Sequence, residues 1–181
     1  MAKSFIGIKR LWYAPPIDAV ANIASGLTSA EVLAKIADAG TVEIKNIHDD
    51  TWGYEESDPT VTEYINQLTG RPYFRDAESQ SIPTISFTLG EYEYQTKADL
   101  QGGTATTDTW ERSDTPEIIE KCIIAQAKTG EVIVMPRSSI IGKGNYVEKN
   151  IGLGVAAVPI ETGVEGLKPE KWFRGLVIPQ G

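Results

Sequence analysis

The residues that most often carry enzyme chemistry are sparse in this chain. His48 is its only histidine and Cys122 its only cysteine. A hydrolytic triad would need His48 beside a nucleophile, and neither Ser57 nor Cys122 stands in a pattern that marks one. We therefore predict that His48 is solvated or caps local backbone beside Asp49, and that Cys122 is a buried structural thiol. The protein is then expected not to be an enzyme.

Two carboxylate pairs offer weaker signals. Asp49-Asp50 lacks the alternating D-x-D-x-D-G spacing of a calcium loop. Glu55-Glu56 has the residue type that glycoside hydrolysis needs, but adjacent acids in an acidic segment are usually a solvated surface. We predict no metal site and no catalytic carboxylate here.

Two glycine-rich fragments resemble parts of phosphate-binding loops. Gly142-Lys143-Gly144 and Gly152-Leu153-Gly154 each contain closely spaced glycines. Neither completes a Walker or dinucleotide fingerprint, so turn and strand roles are expected. The sequence thus predicts no bound cofactor.

Length and charge limit the classes of protein to which the chain can belong. The chain has 181 residues, which fits a single domain, 1–181, and it carries a net charge of −8. A nucleic-acid binder would normally show a basic patch, and none is visible. One cysteine excludes an internal disulfide and suits a reducing cytoplasm. No apolar run approaches the length of a membrane span, and MAKSFIGIKR lacks the apolar core of a secretion signal.

Periodicity identifies the elements that must position any site. Residues 5–13 are typical of a first strand, and Ser29 to Gly40 of a short helix that Ser29 caps and Gly40 ends. Thr41–Ile47 alternates as a half-buried strand, and Thr84–Leu89 alternates most clearly, with Ser86 and Thr88 on its polar face. The predicted core residues are Val42, Ile44, Ile85, Phe87, Leu89, Val132 and Val134.

Later segments complete an all-β pattern. Tyr94–Gln101 is predicted to be a short helix ended by glycine. Val132–Met135 and Ile151–Ile160 flank a polar stretch, and each meets a proline, at which a ladder hydrogen bond must be missing or the strand must lie at an edge. Residues 117–128 fit a helix, from the Asp114 and Glu117 capping box, or a strand, and the sequence leaves both open.

Two long segments lack a clear partner within the chain. Residues 46–82 form an acidic loop or arm rich in aromatics, and residues 167–181 form an apolar C-terminal arm. We predict that Asp49–Phe74 and Lys168–Ile178 contact another subunit. The candidate interface residues are Trp12, Trp52, Tyr54, Tyr64, Trp172 and Phe173.

Several short runs resemble the major tail tube proteins of bacteriophages and prophages. The hydrophobic strand that ends in Met135-Pro136-Arg137 is similar to the start of the family's C-terminal hairpin. Lys9–Pro15 (KRLWYAP) resembles its opening strand and Thr84–Leu89 its central strand. Leu100-Gln101-Gly102-Gly103 resembles the glycine pair that closes its short helix. For residues 117–128 the resemblance favours the strand.

The resemblance implies a mainly β fold, a two-sheet sandwich or barrel with a flanking helix and long extended arms. It implies hexameric rings that stack into a hollow conduit for DNA, which passes without specific binding. Partners would be other copies of the chain and, in the tail, tape measure, tail terminator and baseplate proteins. The protein would be made in the bacterial host cytoplasm and reside in the virion tail.

Other readings fit the same residues. A secretion-type inner tube or a tail completion protein would share the fold, and a carbohydrate-binding or adhesion β-sandwich is the alternative from the binding class. A small hydrolase is the enzyme alternative.

Overall fold

The protein is mainly β with two flanking helices, as the sequence predicts. The computed structural model describes residues 4–179. The elements in chain order are β1 (Arg10–Ala14), α1 (Ser29–Ala37), β2 (Val42–Ile44), β3 (Gly53–Glu56), β4 (Val61–Asn66), β5 (Arg71–Ala77), β6 (Pro83–Leu89), α2 (Tyr94–Gln101), β7 (Thr104–Ala105), β8 (Trp110–Glu111), β9 (Ile119–Gln126), β10 (Val132–Val147), β11 (Asn150–Pro159) and β12 (Lys171–Phe173).

One antiparallel sheet contains eight of these strands in the order β2-β1-β9-β10-β11-β6-β3, with β12 added to β10. The long strand β10 serves both halves of this sheet. Its residues 132–134 pair with β12, and residues 138–147 pair with β11. Its register against β9 shifts between Met135 and Ser138, around Pro136. Proline has no N–H to donate, so the bulge lies where the sequence predicts a missing ladder bond.

The sheet folds around its own inner face, which we call the inner core. Leu11 and Met135 enter it from the half that contains β1, β9 and the start of β10. Phe87 and Leu153 enter it from β6 and β11. Because successive strand residues point to opposite faces, Ile85, Phe87 and Leu89 all turn inward, as predicted.

A second cluster, the outer core, covers the other face of the β1–β9–β10 half. Trp12 and Val134 point outward from the sheet and meet Val32 of α1. The C-terminal segment closes this layer with Phe173 and Ile178. Both faces of this half are therefore buried within one chain.

Helix α1 begins one residue earlier than expected. Thr28, and not Ser29, is the N-cap, and a capping box links Thr28 with Glu31. The Glu31 carboxylate accepts hydrogen bonds from the backbone N–H of Thr28 at 2.7 Å and of Ala21 at 2.6 Å. The T-x-x-E spacing of a capping box begins at Thr28, so the prediction of Ser29 was wrong by one residue.

Helix α2 has the predicted bounds and ends at Gly102, whose φ is 87°. It lies close over β10, because a Cβ at Gly142 would stand only 2.2 Å from the Leu100 carbonyl oxygen. The Tyr13 hydroxyl donates to Asp99 at 2.9 Å and ties α2 to the sheet. Burial raises the pKa of Tyr13 above its ordinary value, and Asp99 raises it further.

Residues 119–126 form strand β9, which resolves the alternative left open at 117–128. The strand is central, because β1 and β10 pair with its two sides. The Glu117 carboxylate accepts from the Gly103 N–H instead of capping a helix. Tertiary pairing has thus overridden the local helix signals.

Two expectations about burial were wrong. Val42 was predicted to be core, but it is 37% exposed, because β2 is a three-residue edge strand and Val42 begins it. Thr88 was expected on an exposed face, but it is buried. The Asn145 side-chain amide donates a hydrogen bond to the Thr88 hydroxyl at 3.2 Å. The backbone N–H of Thr88 donates to the Thr51 hydroxyl at 3.0 Å. The other predicted core residues are buried: Ile44, Ile85, Phe87, Leu89, Val132 and Val134.

Candidate functional site

A two-stranded hairpin, β4–β5, stands apart from the main sheet. Every residue of β5 is exposed, and so are four of the six in β4. We call residues 58–81 the hairpin arm. Strands were not predicted here, because neither strand buries a face and so neither shows a consistent hydrophobic alternation.

Six of the large apolar side chains exposed within residues 4–179 lie on the hairpin arm: Val61, Tyr64, Ile65, Leu68, Tyr73 and Phe74. Its turn residue Leu68 is 96% exposed, and Tyr73 is 71% exposed. Tyr64 and Phe74 pack on each other across the strands, with ring centroids 5.7 Å apart, and both remain exposed. An isolated two-stranded hairpin is at best marginally stable in water, so these side chains need a surface to cover them.

The base of the hairpin arm is closed by backbone hydrogen bonds. The Ser57 N–H donates to the Ile82 carbonyl at 3.0 Å, and the Ile82 N–H donates to the Ser57 hydroxyl at 3.0 Å. Below this point Glu56 pairs with Pro83 in the main sheet. The arm is therefore an insertion between β3 and β6, which pair in the main sheet. We call the described chain without the arm the body.

An aromatic seam joins three distant parts of the chain. The rings of Phe5 and Trp52 stack with their centroids 6.3 Å apart. The Trp172 ring meets Phe5 and Tyr54 edge-on, with a centroid distance of 5.7 Å in each case. The Tyr54 hydroxyl lies within hydrogen-bond distance of Glu56, at 2.8 Å, and of Glu170, at 3.1 Å. Burial raises the pKa of Tyr54 above its ordinary value, and these two carboxylates raise it further.

The predicted interface residues separate into two groups. The prediction that Trp12 and Phe173 contact another subunit was wrong. Both are buried in the chain's own outer core, which α1 and the C-terminal segment help to form. Trp52 and Tyr54 are half-buried in the aromatic seam. Tyr64 and Trp172 are 44% and 47% exposed. The sequence did not single out Leu68, and only its position in a hairpin turn could have indicated its exposure.

The C-terminal segment packs on its own chain. Lys171–Phe173 forms β12 on the edge of β10, with Ile133 opposite Trp172. Leu176 and Ile178 are buried in the outer core. The segment predicted to be a C-terminal arm thus packs partly on its own fold. That it contacts another subunit stays a prediction, and Trp172 and Val177 are its exposed apolar side chains.

The residues considered for catalysis or metal binding do not form a common site. Cys122 is buried in the outer core, and burial raises the pKa of its thiol to about 12. The His48 ring approaches the Asp49 carbonyl at 3.2 Å and Glu148 at 3.7 Å. Within residues 4–179, no three His, Cys, Asp or Glu side chains are grouped closely enough to hold a metal ion. No helix in the same range is long and apolar enough to cross a membrane.

Neither a known protein family nor a curated protein matches this chain in sequence.

Proposed function

We propose that this chain is the repeating subunit of a bacteriophage or prophage tail tube. Copies of it form hexameric rings that stack into a hollow conduit for DNA in the virion tail. The observation that carries the proposal is the hairpin arm, which holds Tyr64, Leu68, Tyr73 and Phe74 away from the body that could bury them. An arm of this kind is suited to binding another copy.

The ends of the main sheet support assembly of the body. Strands β2 and β3 are its two terminal strands, and within residues 4–179 each pairs on one side only. Unpaired strand edges are aggregation sites unless they are blocked or given a specific partner. Pairing between neighbours in a ring would turn these edges into ordered contacts.

The charge of the chain suits a conduit. A net charge of −8 gives no attraction for the phosphate backbone, so DNA can pass without binding. The other tail proteins that such a tube must meet, at its ends and in its lumen, remain proposals on the same footing.

The test removes the hairpin arm and keeps the body. Residues 58–81 are replaced by Asn-Gly, a dipeptide that favours a two-residue hairpin turn. The turn then joins Ser57 to Ile82, which are already hydrogen-bonded. The matched control is Ile118→Ser, which changes an 89% exposed apolar side chain on the body and leaves the arm intact.

The expected result is seen in negative-stain micrographs of the purified proteins. Wild type and Ile118→Ser should form stacked rings or tubes, and the armless protein should give small particles with the circular dichroism of a folded β protein. Wild-type protein that stays monomeric at high concentration would contradict the proposal. Glycan binding by such a monomer would favour the adhesion alternative.

A further inference from the structure

A groove with a volume of about 450 Å³ runs beside the edge strand β2. Its apolar lining comes from Val42 and Ile44 of β2, Leu89 at the end of β6, and Tyr92 in the following loop. Val42, which begins β2, is 37% exposed at this groove. The groove is therefore large enough to hold one or two large side chains, and Val42 offers them the most exposed apolar surface.

The rim of the groove is acidic. Its ionisable residues are Glu43, Lys45, Glu91 and Glu93. Glu43 already forms ion pairs with Arg10, at 2.7 Å, and with Lys45. Glu91 and Glu93 are exposed and form no ion pair with any residue in the described range 4–179. These two carboxylates give the rim its negative charge.

The outer half of the hairpin arm has the opposite charge. Residues 64–75 contain Arg71 and Arg75 and no acidic residue, although the chain as a whole has a net charge of −8. Arg75 already forms an ion pair with Glu63 at 2.9 Å, whereas Arg71 forms no ion pair with any residue in the described range 4–179. Arg71 is exposed at the end of the hairpin, next to Leu68 and Tyr73. This part of the arm therefore combines exposed apolar side chains with positive charge, and it complements the groove in both respects.

We propose that the outer half of the hairpin arm of one copy docks in the β2 groove of a second copy. Leu68, Tyr73 or Phe74 would fill the apolar floor, and Arg71 would face Glu91 and Glu93. The arm does not occupy the groove of its own chain, because Leu68 remains almost fully exposed. The inference rests on the proposed function and adds to it the surface that receives the arm.

The contact is heterologous, because the arm and the groove are different surfaces of the same chain. Each copy that donates its arm still offers an empty groove, and each copy that accepts an arm still has its own arm free. When each copy gives its arm to a different neighbour, such contacts generate rings or open stacks, whereas a reciprocal exchange of arms between two copies would close a two-fold dimer. The proposed function requires the first arrangement.

Reciprocal charge reversal tests the pairing. Arg71→Glu and Glu91→Arg should each raise the critical concentration for assembly about tenfold or more, because each places like charges together. The double variant restores opposite charges and should assemble at close to the wild-type concentration. The matched control is Lys168→Glu, an equal change of charge at an exposed site on the C-terminal segment.

Crosslinking between two differently labelled proteins tests the contact without requiring tubes. One protein carries Leu68→Cys and the other Val42→Cys, and native Cys122 is fully buried and so protected from the reagent. A short thiol-specific crosslinker should join the two proteins to each other far more efficiently than it joins either to itself. Adding Arg71→Glu to the first protein should suppress the product.

The outcomes separate this inference from the proposed function. If the armless protein loses assembly while charge reversal has no effect and the crosslinked pair does not form, the groove is not the receiving surface and the tube proposal stands. If wild type forms no rings or tubes, the tube proposal fails, and the crosslinked pair alone decides whether the arm docks in the groove.

Discussion

At the scale of single residues, Phe87 shows how the fold depends on its inner core. Phe87 is 2% exposed and belongs to the inner core, which draws residues from both halves of the sheet. Phe87→Ala should lower the free energy of unfolding by about 3–5 kcal/mol, the usual range for losing a buried aromatic ring and leaving a cavity. Denaturant unfolding of the monomer measures this loss. Phe74→Ala on the arm is the control, and an equal loss there would show that the arm is part of the body's core.

The Arg10–Glu43 ion pair predicts how stability depends on pH. The hydrogen bond from the Arg10 guanidinium lowers the pKa of Glu43 from 4.5 to about 2. Because the pKa is lower in the folded state, the pair contributes fully above about pH 4.5, and its contribution is lost as the pH falls towards 2. We expect Glu43→Gln to cost about 1–2 kcal/mol at pH 7 and very little at pH 2.

Unfolding measured across that pH range checks the prediction, with Glu165→Gln at an exposed site as the control. A cost that is the same at pH 7 and pH 2 would show that Glu43 acts through packing and not through its charge.

Residue type and spacing predicted which way a side chain points better than they predicted whether another element buries it. Ile85, Phe87 and Leu89 are inward because a strand repeats every two residues, which the sequence shows directly. Trp12 and Phe173 are equally hydrophobic, but their burial depends on α1 and on the C-terminal segment, which are distant in sequence. The prediction that Val42 is buried was wrong for the opposite reason, because Val42 begins an edge strand and stays 37% exposed.

At the scale of elements, the C-terminal segment is expected to be essential for folding. Truncation after Leu167 removes β12 and three buried side chains, Phe173, Leu176 and Ile178. At about 1.5–3 kcal/mol for each, the loss approaches the whole stability of a typical domain. The truncated protein should therefore be insoluble, or it should unfold well below the wild-type temperature. A soluble monomer with the wild-type melting temperature would instead make this segment an assembly element.

The elements that the sequence missed share a physical cause. Strands β4 and β5 bury almost nothing, so no face of either has a consistent hydrophobic pattern to detect. Strand β9 is the reverse case, because its apolar run fits a helix or a buried strand equally well and only its neighbours β1 and β10 decide. Helix α2 was predicted with its correct bounds because Gly102 and Gly103 end it locally.

At the scale of the whole molecule, each surface has a distinct place in the proposed assembly. The inner and outer cores of the body are built from residues of one chain. The outer half of the hairpin arm, residues 64–75, and the β2 groove are separate surfaces, and they are opposite in charge. A body that folds alone and joins its neighbours through two unlike surfaces can first exist as a monomer and then add to one end of a growing tube.

This polarity makes the armless protein a specific inhibitor of growth. Its groove is intact, so it should accept an arm from the end of a tube, but it has no arm with which to bind the next copy. Added to wild type at a small fraction of the total, it should shorten the tubes in micrographs, because every copy that joins stops growth at that point. The armless protein that also carries Glu91→Arg should lose this effect, since its groove no longer attracts Arg71. If armless protein shortens the tubes equally with and without Glu91→Arg, growth does not proceed through the groove. If it has no effect at any ratio, the arm and the groove do not meet during growth.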